Sequence, residues 1–288
     1  MKNRLVSALW CLPLMIGSTW AEATRWFEAE IIIFEQKSDP LLREDFSFEL
    51  KPINNTQSQQ LLINQIEQQQ LNACLNNARP VLAGDALISD RQVIQSVDCP
   101  EQGEYLSGLD RIPVVLSAEP FDHMDSVYLL APEQLQFNDV MQRLKNQGLK
   151  PLLHTGWRFP EEPEKRAPYY RVLAGKKLEN AAQMSFIEAT RPSNQAPSND
   201  LLALLLVDNQ TEALPPASTL WQIDGQIQIY VQHYLFINAQ FNYLENNAVS
   251  GEIQSAYFEQ FRRVYSGDVH YLDHPKFGLI IQIRKFKH

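Results

Sequence analysis

The sequence predicts an α+β fold: a small open-faced α/β sandwich followed by a mostly antiparallel β C-terminal part. Three stretches of the 288-residue chain carry that reading. Arg25–Phe34 (RWFEAEIIIF) alternates apolar with acidic residues and then becomes apolar on both faces. A strand does this when it runs from a rim into a covered sheet. Ser126–Trp157 reads as strand, helix, strand. From Leu220 onward, apolar alternation broken by turn residues reads as strands alone.

Residues 1–23 read as an export signal. Lys2 and Arg4 make a positive start, Leu5–Ile16 an apolar run, and Gly17, Ser18 and Ala21-Glu22-Ala23 a cleavage region of small residues. Cleavage is expected after Ala23, with Ala21 as the alternative. Trp10 stands where a lipoprotein cysteine at Cys11 would want a small residue. The run is shorter than the ~20 apolar residues that span a membrane. The longest later run, Leu201–Val207, is strand-sized, so no transmembrane segment is expected. The net charge is −9, and losing Lys2, Arg4 and Glu22 makes the mature chain more acidic still. Such a chain repels nucleic acid. The expected localisation is the periplasm.

The expected organisation is an α/β domain over 24–190, a linker-like segment over 191–219, and a β-rich part over 220–288 able to pack on the first domain. In the opening strand Phe27, Ala29, Ile31 and Ile33 share one face. Trp26, Glu28, Glu30, Ile32 and Phe34 share the other. Lys37–Asp45 reads as a loop and Phe46–Leu50 as a short strand. Asn54–Asn77 is rich in Gln and Asn. Leu62 and Ile66, like Leu71 and Leu75, are four apart and permit a weakly amphipathic helix, while the composition equally permits disorder. Ile112–Leu116, with Pro113, reads as an edge strand, and Ser126–Leu130 as a strand. Pro132 opens a helix whose buried stripe is Leu135, Val140, Met141 and Leu144, with Gly148 as its cap. Leu149–Trp157 is the next strand and Phe159–Pro168 an exposed loop. Leu178–Ala189 reads as helix or strand. Arg191–Asp200 and Asn209–Ser218 are linker-like. Asp224-Gly225 marks a hairpin turn after Leu220–Ile223. A long strand runs from Gln226 to about Phe241. Strands at Glu252–Tyr265, Val269–Leu272 and Leu279–Phe286 follow, with a turn at Ser266-Gly267.

Two cysteines remain after cleavage, Cys74 and Cys99. An even pair in an oxidising compartment predicts a disulfide closing about 25 residues. No Gly-x-Ser-x-Gly elbow, Ser-x-x-Lys pair or glycine-rich phosphate cradle occurs, so no catalytic residue and no cofactor is expected. His270, Asp273 and His274 have metal-ligand chemistry. In a strand, however, four residues span about 13 Å, whereas zinc ligands must each come within about 2 Å of the ion. No metal is expected, and these groups would satisfy a turn.

The ligand-binding candidates are Trp157, Arg158, Arg262, Arg263 and His270. Trp157 and Arg158 sit where a strand meets a proline-rich loop. An indole there can stack on a sugar face while a guanidinium holds a carboxylate by two parallel bonds. The structural alternative is that Trp157 caps the core and Arg158 makes an ion pair. Arg262 and Arg263 lie on opposite faces of one strand, so only one can meet a given anionic group.

Four blocks carry a resemblance. They are RWFEAEIIIF at 25–34, HTGWRFP at 154–160, LWQIDG at 220–225 with HYL at 233–235, and RRVYSGDVHYLDHPKFG at 262–278. In this order the chain resembles the CsiV family, cell-shape-integrity, peptidoglycan-binding proteins of γ-proteobacteria. The resemblance implies a periplasmic, non-enzymatic accessory protein that binds peptidoglycan. It also implies support for an outer-membrane lipoprotein that activates a bifunctional penicillin-binding protein. It carries over no ligand residues. The alternative reading is a zinc-dependent peptidoglycan hydrolase using His270, Asp273 and His274.

Overall fold

The computed structural model describes residues 24–37, 50, 51, 53, 58–77, 99–100, 105–178, 220–246 and 253–287. The signal segment, most of the expected strand at 46–50, almost all of 178–189 and the linker-like 191–219 lie outside them.

β1 (Trp26–Glu35) is the centre of one sheet. It lies antiparallel between β4 (Lys150–Pro160) and β10 (Phe277–Lys285). β3 (Tyr128–Leu129) and β9 (Val269–His274) complete the order β3-β4-β1-β10-β9. The second sheet runs β2 (Ser58–Gln59), β5 (Tyr169–Leu178), β6 (Leu220–Val231), β7 (Leu235–Asn246), β8 (Ile253–Val264). Among the described residues the short β2–β5 pair is parallel, as is the single bridge of Val115 to His154, and the other strand pairs are antiparallel. Strands from before and after residues 191–219 share both sheets, and their inward side chains form one core.

The two-sided apolar half of β1 now has its cause. Ala29, Ile31 and Ile33 face the second sheet. Ile32 and Phe34 face the other way, onto Phe137, Met141 and Leu144 of α2 (Asn138–Asn146) and the residue before it. α2 ends as expected. Gly148 takes φ +73°, its N–H bonds Lys145 O at 2.9 Å, and Leu149 N–H bonds Leu144 O at 3.0 Å. That is a Schellman cap, which a side chain at the left-handed position would strain. α1 (Leu61–Asn77) forms from the Gln/Asn-rich stretch. It buries Leu62 and Ile66 against the edge of the sandwich and leaves Leu75 exposed. The Cys74–Cys99 disulfide, with 6.0 Å between Cα atoms, ties it down.

Three expectations are corrected. The helix does not open at Pro132: residues 132–134 make a 3-10 turn and α2 starts at Asn138. The Glu30 carboxylate takes the N–H groups of Gln136 and Phe137 just before it. Asp224-Gly225 is no turn but lies inside β6, and the expected long strand breaks into β6 and β7 around residues 232–234. A Cβ on Gly225 would come 2.0 Å from the Phe241 ring, so this glycine serves close packing. Ile112–Leu116 is a crossing rather than a strand. Ile112 N–H bonds Gly175 O in one sheet, and Val114 O accepts from His154 N–H in the other.

Candidate functional site

Adjacent residues of a strand point to opposite faces, and β4 separates Trp157 from Arg158 in this way. Trp157 points inward and is 2% exposed, with its ring centroid 5.1 Å from that of Tyr170. Its indole Nε1 is buried without a hydrogen-bond partner among the described residues. Arg158 points outward but is 1% exposed, under cover. It donates to Glu28 at 2.7 Å, to Asp122 at 3.0 Å and to the His123 carbonyl at 3.3 Å. Its guanidinium lies 3.5 Å from the Phe286 ring centroid.

These bonds belong to a charged row across β4, β1 and β10. Register places Glu28 opposite both Arg158 and Arg284. Arg284 reaches Glu28 at 3.2 Å and Glu30 at 2.5 Å, and Glu30 meets His154 Nε2 at 2.9 Å. Burial alone would raise the Glu30 pKa. His154, Arg284 and the N–H groups of Gln136 and Phe137 outweigh it and hold the carboxyl below the usual range. The row fastens three strands to the segment that covers them, so its charges are already spent.

The C-terminal candidates also separate. Arg262 donates to the Tyr271 carbonyl at 2.8 Å and links β8 to β9. His270 is half-buried, with Nε2 lacking a hydrogen-bond partner among the described residues. His274 is buried against Phe277 and Phe258, and its Nδ1 accepts from Lys276 N–H at 3.2 Å. Burial pushes its pKa down. Asp273 instead accepts from Gln36 at 2.6 Å and Tyr271 at 2.7 Å. Among the described residues, no group of three His, Cys, Asp or Glu side chains is disposed to hold a metal.

Arg263 alone of the five points onto an exposed surface rich in rings, the outer face of the second sheet. Tyr230 stacks on Phe236 at 5.1 Å, and Phe236 stacks on Phe261 at 5.6 Å with planes 9° apart. This strip crosses β6, β7 and β8, and exposure rises along it to 59% at Phe261. Arg263 is opposite Phe236 in register, with its guanidinium 4.6 Å from the Tyr234 ring centroid and 6.0 Å from that of Tyr265. Amides line the neighbouring rungs. Gln226 donates to Gln240 at 2.9 Å, Gln240 to Glu259 at 3.1 Å and Asn238 to Tyr169 at 3.1 Å. Flat rings beside amides and the Arg263 cation suit a saccharide carrying acidic groups. The signal was present in the sequence: Gln226, Gln228, Tyr230 and Phe236 are the polar or aromatic positions opposite an isoleucine face. The misplaced turn hid that Tyr230 and Phe236 are cross-strand neighbours.

No helix among the described residues is long and apolar enough to cross a membrane. Comparison with curated proteins and with solved structures finds no match. A family model described as peptidoglycan-binding protein, CsiV, matches residues 5–286. With a match over nearly its whole length, the chain belongs to the CsiV family of peptidoglycan-binding proteins.

Proposed function

We propose that this is an exported, non-enzymatic accessory protein of the periplasm. It binds peptidoglycan and supports wall synthesis through an outer-membrane lipoprotein that activates a bifunctional penicillin-binding protein. The observation that carries the binding reading is the ring strip of the second sheet, exposed at its Phe261 end and set among amides in a member of a peptidoglycan-binding family. Of the residues singled out from the sequence, Arg263 is the contact this reading favours. Trp157 and Arg158 would support it from within.

The test is co-sedimentation of the mature chain with purified sacculi. Binding without release of soluble fragments is expected. Soluble muropeptides whose release a chelator abolishes would overturn the non-enzymatic reading in favour of a zinc hydrolase. Mass spectrometry of periplasmic material should find Thr24, or Glu22, as the first residue. Retention of Met1 would defeat export.

A further inference from the structure

We infer that the end of the sandwich beside Arg263 takes the peptide branch of the wall polymer by a free carboxylate, while the ring strip takes the saccharide. This rests on the wall-binding reading above. Arg25, Arg158, Arg166, Arg171 and Arg284 each pair with a carboxylate. Arg263 pairs with none among the described residues. It is stacked on Tyr234 and Tyr265, which orients the guanidinium and leaves its planar fork of donors free for a bidentate partner.

The two tyrosines have a second role. Both line a cavity of about 220 Å³ at the end of the sandwich, where β6 turns into β7 and β8 into β9. His233, Lys285 and Arg25, whose charge meets Glu161, form other parts of its wall, and among the described residues no acidic side chain lines it. In a chain of net charge −9 that is a local reversal of sign, and it favours an anionic occupant. The cavity is smaller than the roughly 300–1,000 Å³ pockets that hold drug-sized ligands. It suits the end of a short peptide rather than a whole muropeptide. A larger cavity, about 400 Å³, lies at the opposite end. It carries Glu35 and Glu245 among its basic residues, and Lys150 and Lys276 pair with them. Two carboxylates therefore stand among its four basic residues, Arg111, Lys150, Lys176 and Lys177.

Geometry joins the two halves of the site. Phe236 and Arg263 are direct cross-strand partners, with Cα atoms about 4.5–5.5 Å apart. A ligand lying on the strip therefore has Arg263 beside it and the cavity mouth just beyond. Peptidoglycan has this shape: a glycan strand with apolar ring faces, bearing short peptides that end in free carboxylates.

The experiment measures binding of the mature chain to three probes. They are intact sacculi, the same sacculi stripped of peptides by an amidase, and a soluble stem peptide with a free or amidated C-terminus. Stripped strands should bind about tenfold or more weaker than intact sacculi, and the amidated peptide weaker than the free acid. Arg263→Gln should lower binding to intact sacculi without changing binding to stripped strands. Arg263→Lys should recover only part, because an ammonium lacks the fork. Phe261→Ala should weaken both polymers. Melting curves of each variant establish that losses are not unfolding. Equal binding of stripped and intact sacculi, or an unchanged Arg263→Gln, would overturn the inference and leave wall binding standing. Absence of binding to intact sacculi would overturn both.

Discussion

The outer faces of the two sheets both carry arginines beside aromatic rings, and they use them oppositely. On the first sheet, Arg158 and Arg284 are covered by the segment that packs over them. Every charge there meets another: Glu28, Glu30, Asp122 or His154. On the second sheet, Arg263 rests on Tyr234 and Tyr265 and meets no acid among the described residues. The first face is closed by its own ion pairs, whereas the second, which pairs Arg171 with Asp224 and Lys51 with Glu259, is open around Phe261 and Arg263. A cation next to a ring in sequence therefore says little about binding. What matters is whether the fold has already supplied the counter-charge.

The sharpest way to break this comparison is on the closed face. Arg158→Ala leaves Glu28 to Arg284 and Asp122 to solvent, and is expected to cost about 1–3 kcal/mol, the usual penalty when a buried polar group loses a hydrogen-bond partner. Trp157→Ala, on the inner side of the same strand, empties a core position at about 3–5 kcal/mol. Denaturant midpoints would measure both. A milder change, Trp157→Phe, should keep fold and sacculus binding together. Loss of binding by a Trp157→Phe protein that melts like the parent would return Trp157 to the ligand site.

Much of the fold was legible in the sequence because burial leaves a two-residue period. β1, β8 and the final strands were found where apolar alternation is regular. The Gly148 cap was found because few residues tolerate positive φ. The cysteine pairing followed from arithmetic and compartment. The failures have a common cause: one residue type serves two physical ends. Gly225 looks like a turn glycine, yet it is small so that Phe241 can pack on the strand. Trp157 and Arg158 read as a joint site because they are neighbours in sequence, although strand alternation already set them on opposite faces. The open ring strip needed the true β6–β7 register, which no local pattern supplied.

A smaller effect is expected at the disulfide, which belongs to neither face. It closes about 25 residues, and reduction should cost about 3 kcal/mol in the chain-entropy model. α1 would loosen at the sandwich edge while the ring strip stays in place. Reduced protein that remains folded should therefore still bind sacculi. Binding abolished at a temperature where circular dichroism shows the reduced fold intact would tie α1 to the site.

Acid should separate the faces further. Glu30 is held below its ordinary pKa, so its contribution is complete above the usual glutamate range and is lost as pH falls through the lowered folded value. Melting temperatures of parent and Glu30→Gln should therefore differ at neutral pH and converge on acidification. A constant gap would show that the carboxylate charge is not what the closed face uses. On the open face Glu259 is also held low, first by Gln240, but it is exposed and screened, so little stability is lost there.

The smallest expected change in stability is the most informative about the open face. Phe261 is 59% exposed and touches the fold mainly through Phe236. Exposed substitutions away from caps, turns and buried networks usually stay within about 0.5 kcal/mol, so Phe261→Ala should melt almost with the parent. Binding should not follow stability. An exposed ring at the end of a stacked strip costs solvation in the free protein and is repaid when a sugar covers it. Truncating such a contact weakens binding by about 1–3 kcal/mol, or roughly 5- to 150-fold. Phe261→Trp should hold or strengthen it, because the larger ring offers more stacking area. Sacculus binding by Phe261→Ala equal to the parent's, with the melt unchanged, would show the strip to be a surface without a ligand. It would leave the cavity beside Arg263 as the place to look.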